Sequence, residues 1–455
     1  MLANRKNIFF VGIGGIGMSA LARYFNSEGY FVCGYDRKSS PITDQLIQEG
    51  IEVFFEDNLS SIDNEFIQNP DQCFVVYTPA IPKSSYLMNY FLKNDYAMHK
   101  RAEILGEVTK NTINLSVAGT HGKTTTSSIV ASIFQQSSLS FSAFLGGISA
   151  NLNSNYFKQD KGGSHFSITE ADEFDRSFLH LKPTYSVITS TDADHLDIYG
   201  SKEDLEDSYV EFSKLISEDN HTFYAKNKVK NLRGISYSAT DQEAMFYAVM
   251  HFQDSKGTYF DIRDHLGNLF INDLYVSLPG VNNLENAVGA TLMCRKAGVS
   301  EQAIRTGLKE FKGIKRRFQY VIERDDFLYI DDYAHHPNEL KAIISSVRNL
   351  YPNRKITAIF QPHLYTRTQD FMAEFAQELS KVDSLILLPI YTARELPIEG
   401  VTSDVLLENI SHPNAICVPK SEVIKNLKQK EVDILLTLGA GDIDQLVKPI
   451  YEFYG

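Results

Sequence analysis

At 455 residues the chain exceeds what one hydrophobic core ordinarily serves, and at about 150 residues per domain it predicts three domains. A formal charge of −13 argues against general affinity for nucleic acid or anionic lipid, and no stretch approaches the ~20 apolar residues that cross a bilayer. Cys33, Cys73, Cys294 and Cys417 lie far apart without a CxxC pair, which argues for ordinary semi-buried thiols against a zinc site or disulfide framework and fits a soluble protein of the reducing cytoplasm.

Residues 7–11 read as a short apolar strand that runs into Gly12-Ile13-Gly14-Gly15-Ile16-Gly17, followed by helical sequence. This is a G-x-G-x-x-G turn in its proper strand-to-helix setting, with Gly14, Gly15 and Gly17 letting backbone approach a pyrophosphate. Asp36 ends the next strand, where an acid commonly receives a ribose hydroxyl. The geometry specifies the anion rather than the cofactor, so a nicotinamide or flavin dinucleotide and a UDP-sugar both remain open. Strand 73–77 leads into a loop opened by Thr78, at the strand end where parallel sheets bind ligands. A helix over 101–108 closes this segment, and a domain boundary is expected near residue 110.

Strand 113–118 then opens into Gly119-Thr120-His121-Gly122-Lys123-Thr124-Thr125-Thr126. The two glycines allow successive N–H groups to face one anion, and the helix beginning near Lys123 adds its positive end. Lys123 supplies a point charge for the outer phosphates, and the Thr124 hydroxyl is placed to ligate a nucleotide's Mg2+. The loop is shorter than the common phosphate-loop pattern. Residues 151–163 are polar and read as an exposed loop. Two strands then end in acids, one at Glu170-Ala171-Asp172-Glu173-Phe174-Asp175 and the other at Asp192-Ala193-Asp194-His195-Leu196-Asp197. Solvated loop acids are the ordinary explanation for either cluster alone. Beside a nucleotide loop, Glu170 becomes a candidate Mg2+ ligand and His195 a candidate ligand of a second ion. Asn283 and Asn286 share one face of a helix, either as capping residues or as readers of an adenine edge.

Gly313-Ile314-Lys315-Arg316-Arg317-Phe318 marks entry to the last segment, where strands ending at Asp331-Asp332, Phe360, Leu388 and Leu438 alternate with helical runs. That alternation predicts another parallel sheet with its functional loops along one edge.

In this order, Gly12 to Met18, the Gly119 to Thr126 loop, the Glu170 and Asp194-His195 clusters, Arg316-Arg317-Phe318, Asp331-Asp332-Tyr333 with His335-His336-Pro337, and Phe360-Gln361-Pro362-His363 resemble the ATP-dependent Mur ligases of peptidoglycan synthesis. The resemblance spans nearly the whole chain. It implies an α/β protein of three domains: an N-terminal Rossmann-like UDP-sugar domain over 1–109, a central mixed-sheet ATPase-like domain over 110–314 and a C-terminal Rossmann-like domain over 315–455. It further implies ATP and Mg2+ as cofactors, UDP-N-acetylmuramate and L-alanine as substrates, and a monomer or weak homodimer. Gly119, Thr120, His121, Gly122, Lys123, Thr124 and Thr125 would hold the nucleotide with Asn283, Asn286, Arg317 and Asp332. Thr124, Glu170 and His195 would be metal ligands, and Lys123, His195, His335 and Arg367 catalytic. Leu364 departs from the arginine many alanine-adding relatives carry. Attachment of an intact tripeptide to the same UDP-sugar is the alternative within the family, and a nicotinamide-dependent oxidoreductase is the alternative outside it.

Overall fold

The computed structural model describes residues 6–60, 62, 70–192, 196–393, 395–411 and 414–455. Within them the chain forms three sheets in two compact units, Met1–Lys312 and Gly313–Gly455.

The first sheet contains β1 (Asn7–Val11), β2 (Phe31–Tyr35), β3 (Glu52–Phe54), β4 (Cys73–Tyr77) and β5 (Ala97–Lys100), ordered β3-β2-β1-β4-β5. All pairings are parallel. Ile8 to Val11 are apolar without alternation because the central strand is covered on both faces. The strand order reverses at β1 and β4, so the glycine loop after β1 and Thr78 after β4 flank the point where such sheets bind ligands.

The second sheet, in the same unit, has ten strands: β6 (Ile113–Ala118), β7 (Ser140–Ser149), β8 (Ser154–Gln159), β9 (His165–Glu170), β10 (Tyr185–Ile188), β11 (Thr222–Ala225), β12 (Ile235–Ser238), β13 (Phe246–Gln253), β14 (Thr258–Asp264) and β15 (Leu269–Val276). Their order is β15-β14-β13-β12-β11-β10-β6-β9-β7-β8. The sheet is mixed: β6 pairs in parallel with β9 and β10, whereas β7–β8 and β13–β14–β15 are antiparallel. The phosphate-loop strand therefore lies between the two strands that end in acids. The helix Lys123–Gln135 is buried from Thr124 to Phe134. At Gly307, in helix Glu301–Lys309, an added Cβ would stand 2.4 Å from Ile133 Cα.

One expectation is corrected here. The polar stretch 151–163 is not simply an exposed loop, because it contains β8, with Asn155 and Tyr156 buried. The reason is a side-chain network across the two sheets' elements. Arg23, on helix Ile16–Ser27, donates to Glu49 at 2.7 Å and to Asn155 Oδ1, while Asn155 Nδ2 donates to Ile16 O at 2.5 Å and Ser19 Oγ at 2.9 Å. A buried amide satisfied in this way is compatible with a core position.

The second unit holds β16 (Gln319–Glu323), β17 (Leu328–Asp332), β18 (Ile356–Phe360), β19 (Ser384–Leu387), β20 (Ala415–Cys417) and β21 (Ile434–Leu438), ordered β16-β17-β21-β18-β19-β20. Four pairings are parallel, and β16 adds an antiparallel edge to the expected parallel sheet. Among the described residues no helix is long and apolar enough to cross a membrane.

Asn155→Ala removes the partner of a buried guanidinium and the donor to the glycine-loop helix. Urea denaturation should show a loss of about 2–4 kcal/mol, and a loss under about 0.5 kcal/mol would disprove the network's structural weight.

Candidate functional site

The phosphate loop is built as its glycines require. Gly119 has φ 129° and Gly122 φ 85°, and Gly122 is the N-cap of helix Lys123–Gln135. A Cβ at Gly119 would lie 2.2 Å from Thr189 Oγ1, and one at Gly122 would lie 2.7 Å from Asn286 Oδ1. Neither position has room or backbone freedom for a side chain. The loop is tied to the end of β10: Thr120 Oγ1 donates to Asp192 O at 2.8 Å, His121 N to Ser190 Oγ at 2.9 Å, and Thr189 Oγ1 to Ala118 O at 3.1 Å. The Thr120, Thr124 and Thr125 side chains are buried at this loop.

Lys123 curls back over its own loop. Its Nζ donates to Gly119 O at 2.6 Å and makes a two-pronged contact with Glu173, at 2.9 Å to Oε1 and 2.8 Å to Oε2. Burial pushes the ammonium pKa down, but Glu173, followed by Glu170 and Asp172, more than offsets this and holds it above its ordinary value. The acids after β9 are thus divided by partner. Asp172 meets Arg101 at 3.0 Å, Glu173 meets Lys123, and Asp175 meets Lys100 at 2.8 Å. Glu170 faces Gly146, where an added Cβ would stand 2.2 Å from its carboxylate, so only glycine leaves that space open. A carboxylate and the Thr124 hydroxyl are hard oxygen donors suited to Mg2+. Among the described residues no three His, Cys, Asp or Glu side chains converge as a cation cage. His195 lies outside the described residues.

Beside Glu170 is a cavity of about 260 Å³ lined by Gly15, Gly17, Thr78, Arg101, Gly146 and Asp172, among others. It joins the glycine loop of the first sheet to the acidic edge of the second within one unit. Arg101 escaped the sequence reading, in which it only began a helix. Its Nη1 would be 2.9 Å from a Cβ at Gly17, while its Nη2 holds Asp172. Gly14 and Asp36 are absent from its lining: Gly14 N donates to Asp36 Oδ2 at 2.8 Å, so the acid fastens the loop itself. The two asparagines are separated in role, since Asn286 stands at Gly122 whereas Asn283 Nδ2 donates to Pro279 O at 2.7 Å across the helix start.

In the second unit, loops after β17, β18 and β19 bring His335, His363, Arg367 and Tyr391 together. His335 Nδ1 lies 2.9 Å from Tyr333 O and 3.2 Å from Glu339 Oε2. Both neighbours are acceptors, which suits a proton on Nδ1. His336 is instead the N-cap of helix Pro337–Leu350, its Nδ1 accepting from Asn338 N at 3.3 Å. Arg367 Nη1 lies 3.3 Å from His363 Nδ1, and His363 stacks on Tyr391 with ring centroids 5.6 Å apart. Leu364 adopts φ 74° at the start of helix Tyr365–Asp370. Arg317 packs over the Tyr333 ring at 5.1 Å and reaches Glu339 at 3.4 Å. His363 was legible only as the end of the Phe360-Gln361-Pro362-His363 motif, and Glu339 and Tyr391 carry no periodic signal.

Asp332 accepts from Phe318 N at 2.6 Å and Ala334 N at 2.7 Å. Burial raises its pKa to about 6, against the opposing pull of Arg317 and the two N–H groups. Because the folded carboxyl holds its proton more tightly than the unfolded one, stability from this group is greatest below about pH 4 and is lost as pH rises through about 6. Asp332→Asn lacks that slope. Its stability relative to the parent chain should therefore improve by about 1 kcal/mol between pH 5 and pH 7 in urea titrations, and a constant difference would contradict the buried-carboxyl account.

Three family models match in chain order: the Mur ligase family catalytic domain over residues 7–112, the Mur ligase middle domain over 117–294 and the Mur ligase glutamate ligase domain over 316–441. The UDP-N-acetylmuramate–L-alanine ligase of Flavobacterium psychrophilum is 47% identical over 443 residues, 97% of this chain and 96% of that one. The enzyme of the same name from Porphyromonas gingivalis is 46% identical over 464 residues, covering 98% and 99%. Among solved structures, the UDP-N-acetylmuramate-alanine ligase of Thermotoga maritima superposes with a TM-score of 0.83 at 25% identity over 98% of this chain and 99% of that one. A murein peptide ligase from Psychrobacter arcticus shares the fold at 21% identity, with a TM-score of 0.72 and 98% coverage of both chains. The glycine-built phosphate loop between two acid-ended strands, the Rossmann-like sheet before it and the likeness along the whole length agree, and the chain belongs to the Mur ligase family.

Proposed function

We propose that this protein is an ATP-dependent ligase that forms the amide bond between L-alanine and the carboxylate of UDP-N-acetylmuramate, in the synthesis of peptidoglycan precursors. The observation that carries this reading is near-full-length identity of 42–47% to relatives named for that activity, together with the loop and cavity chemistry in the first unit.

A carboxylate does not condense with an amine at neutral pH because oxide is a poor leaving group. Transfer of the γ-phosphoryl of ATP to the muramoyl carboxylate gives an acyl phosphate, from which phosphate leaves when the free amine of alanine attacks. The start of helix Lys123–Gln135 presents its backbone N–H groups to the phosphates, while Thr120 N and His121 N are held by Ser190; Lys123 adds charge, and Asn286 is assigned to the nucleotide beside Gly122. Gly15, Gly17, Thr78 and Arg101 take the UDP-sugar, with the Arg101 guanidinium suited to a pyrophosphate or carboxylate. Thr124 and Glu170 would hold Mg2+, which when bound supplies positive charge to the transferring phosphoryl oxygens. In the second unit, Arg317 is assigned to ATP and Arg367 to the amino acid carboxylate. His335, held at Nδ1 by Tyr333 O and Glu339, is assigned as the base for the alanine ammonium, ahead of His336, whose Nδ1 caps a helix. A cytoplasmic location follows from where such nucleotide-linked precursors are made.

Phosphate release with ATP, Mg2+ and UDP-N-acetylmuramate should depend on L-alanine, with glycine, L-serine and the tripeptide as weaker acceptors. Lys123→Ala should lower turnover about 100-fold or more, with its melting curve recorded because the change strands buried Glu173. Release with tripeptide alone would reassign the protein to recycling, and no release with any of these acceptors would end the ligase reading.

A further inference from the structure

The acid that holds Lys123 was not among the residues expected at the site. Glu173 is only 1% exposed, and both of its oxygens are within 3.0 Å of the Lys123 ammonium. Its backbone is fixed as well, since its carbonyl accepts from Tyr199 Oη at 2.5 Å and from Arg176 N at 2.9 Å. The contacts on Nζ are Gly119 O, Thr120 O at 3.4 Å and the two carboxylate oxygens, so an ammonium with three protons is already fully engaged on its own loop. A nucleotide phosphate can engage it only by displacing one of these acceptors. The carbonyls belong to the loop that cradles the phosphates, which leaves the carboxylate as the group to be exchanged.

We infer that Glu173 is a positioning residue that stands in for phosphate: it holds Lys123 in the empty loop, yields it to the incoming nucleotide, and reclaims it so that ADP leaves. The inference rests on the nucleotide-loop part of the ligase reading. Two anionic groups, a carboxylate and a phosphate, compete for one buried cation, and each is stabilised by the ammonium that the other lacks. Such competition weakens ground-state binding of ATP and ADP alike while lowering the barrier to product release, and release of product limits many ligand-closing enzymes. The other acids near Lys123 cannot substitute. Asp172 is held by Arg101, and Glu170 faces Gly146 and the cavity.

The test is ADP binding by calorimetry and ADP dissociation by stopped flow in the full chain, comparing Glu173→Gln and Glu173→Asp with the parent. Glu173→Gln keeps the shape and removes the competing charge. It should bind ADP about 5–10-fold more tightly, with the gain in a slower off-rate, and KM for ATP and kcat should fall together. Glu173→Asp, which retains the charge, should return towards parent values. Unchanged or weaker ADP binding by a cooperatively folded Glu173→Gln protein would overturn the inference, because a purely structural acid predicts that result. If Glu173→Gln does not fold, a crystal structure of the parent chain with ADP decides. Lys123 on phosphate with at least one Glu173 contact opened beyond 3.5 Å supports the exchange, and both contacts retained overturns it. Because these readouts need only ADP, tight binding without amide formation would count against the ligase reading and leave the exchange standing.

Discussion

The first unit is governed by one electrostatic constraint: an anion must be bound at a strand end whose two neighbours both run out into carboxylates. Backbone N–H groups and a helix terminus provide partial charges only, so full cations have to be interleaved among the acids. Lys100, Arg101 and Lys123 do this, each taking a different member of the Asp172, Glu173 and Asp175 series. Pairing neutralises the acids that would repel a nucleotide and leaves Glu170 turned to the space beside Gly146. The local chain responds to this demand. Asp175 and Arg176 both take positive φ, at 54° and 52°, in the short turn that delivers successive acids to different partners.

The second unit meets a related constraint by other means. Its loops converge at a sheet edge without metal-type clusters among the described residues, and they are kept in place by carboxylates that serve backbone donors. Glu339 accepts from the N–H groups of both His335 and His336, and Asp332 does the same for Phe318 and Ala334. Both acids therefore fasten backbone, and Glu339 also meets the Arg317 and His335 side chains. Asp36 behaves similarly in the first sheet by holding Gly14.

What was legible in the sequence follows from the range of the forces involved. Glycine turns after apolar strands are local, so both phosphate-type loops and the strand-end placement of Thr78, Glu170 and Asp332 could be read directly. Partner choice is not local. Nothing in Glu170-Ala171-Asp172-Glu173 distinguishes the acid that meets Lys123 from the one that meets Arg101, because the answer depends on how β9 and helix Arg101–Thr109 pack. The strand Ser154–Gln159 was hidden for the same reason: its buried amide is polar in composition and becomes core only when Arg23 arrives from more than a hundred residues away. Asn283 and Asn286 share a helical face as periodicity requires, yet the carbonyl of Pro279 captures one of them.

The junction between the first two sheets has an evolutionary consequence. Gly106 packs so closely that a Cβ there would be 2.3 Å from His180 O, and Arg23 reaches its amide partner on a strand of the neighbouring sheet. A recombination event that exchanged only the N-terminal sheet with that of a distant relative would bring together a guanidinium and an amide selected for other partners, and a backbone contact without clearance. The unit of inheritance in this chain is consequently the pair of sheets, Met1–Lys312, and grafts or chimeras have their natural crossover at Gly313.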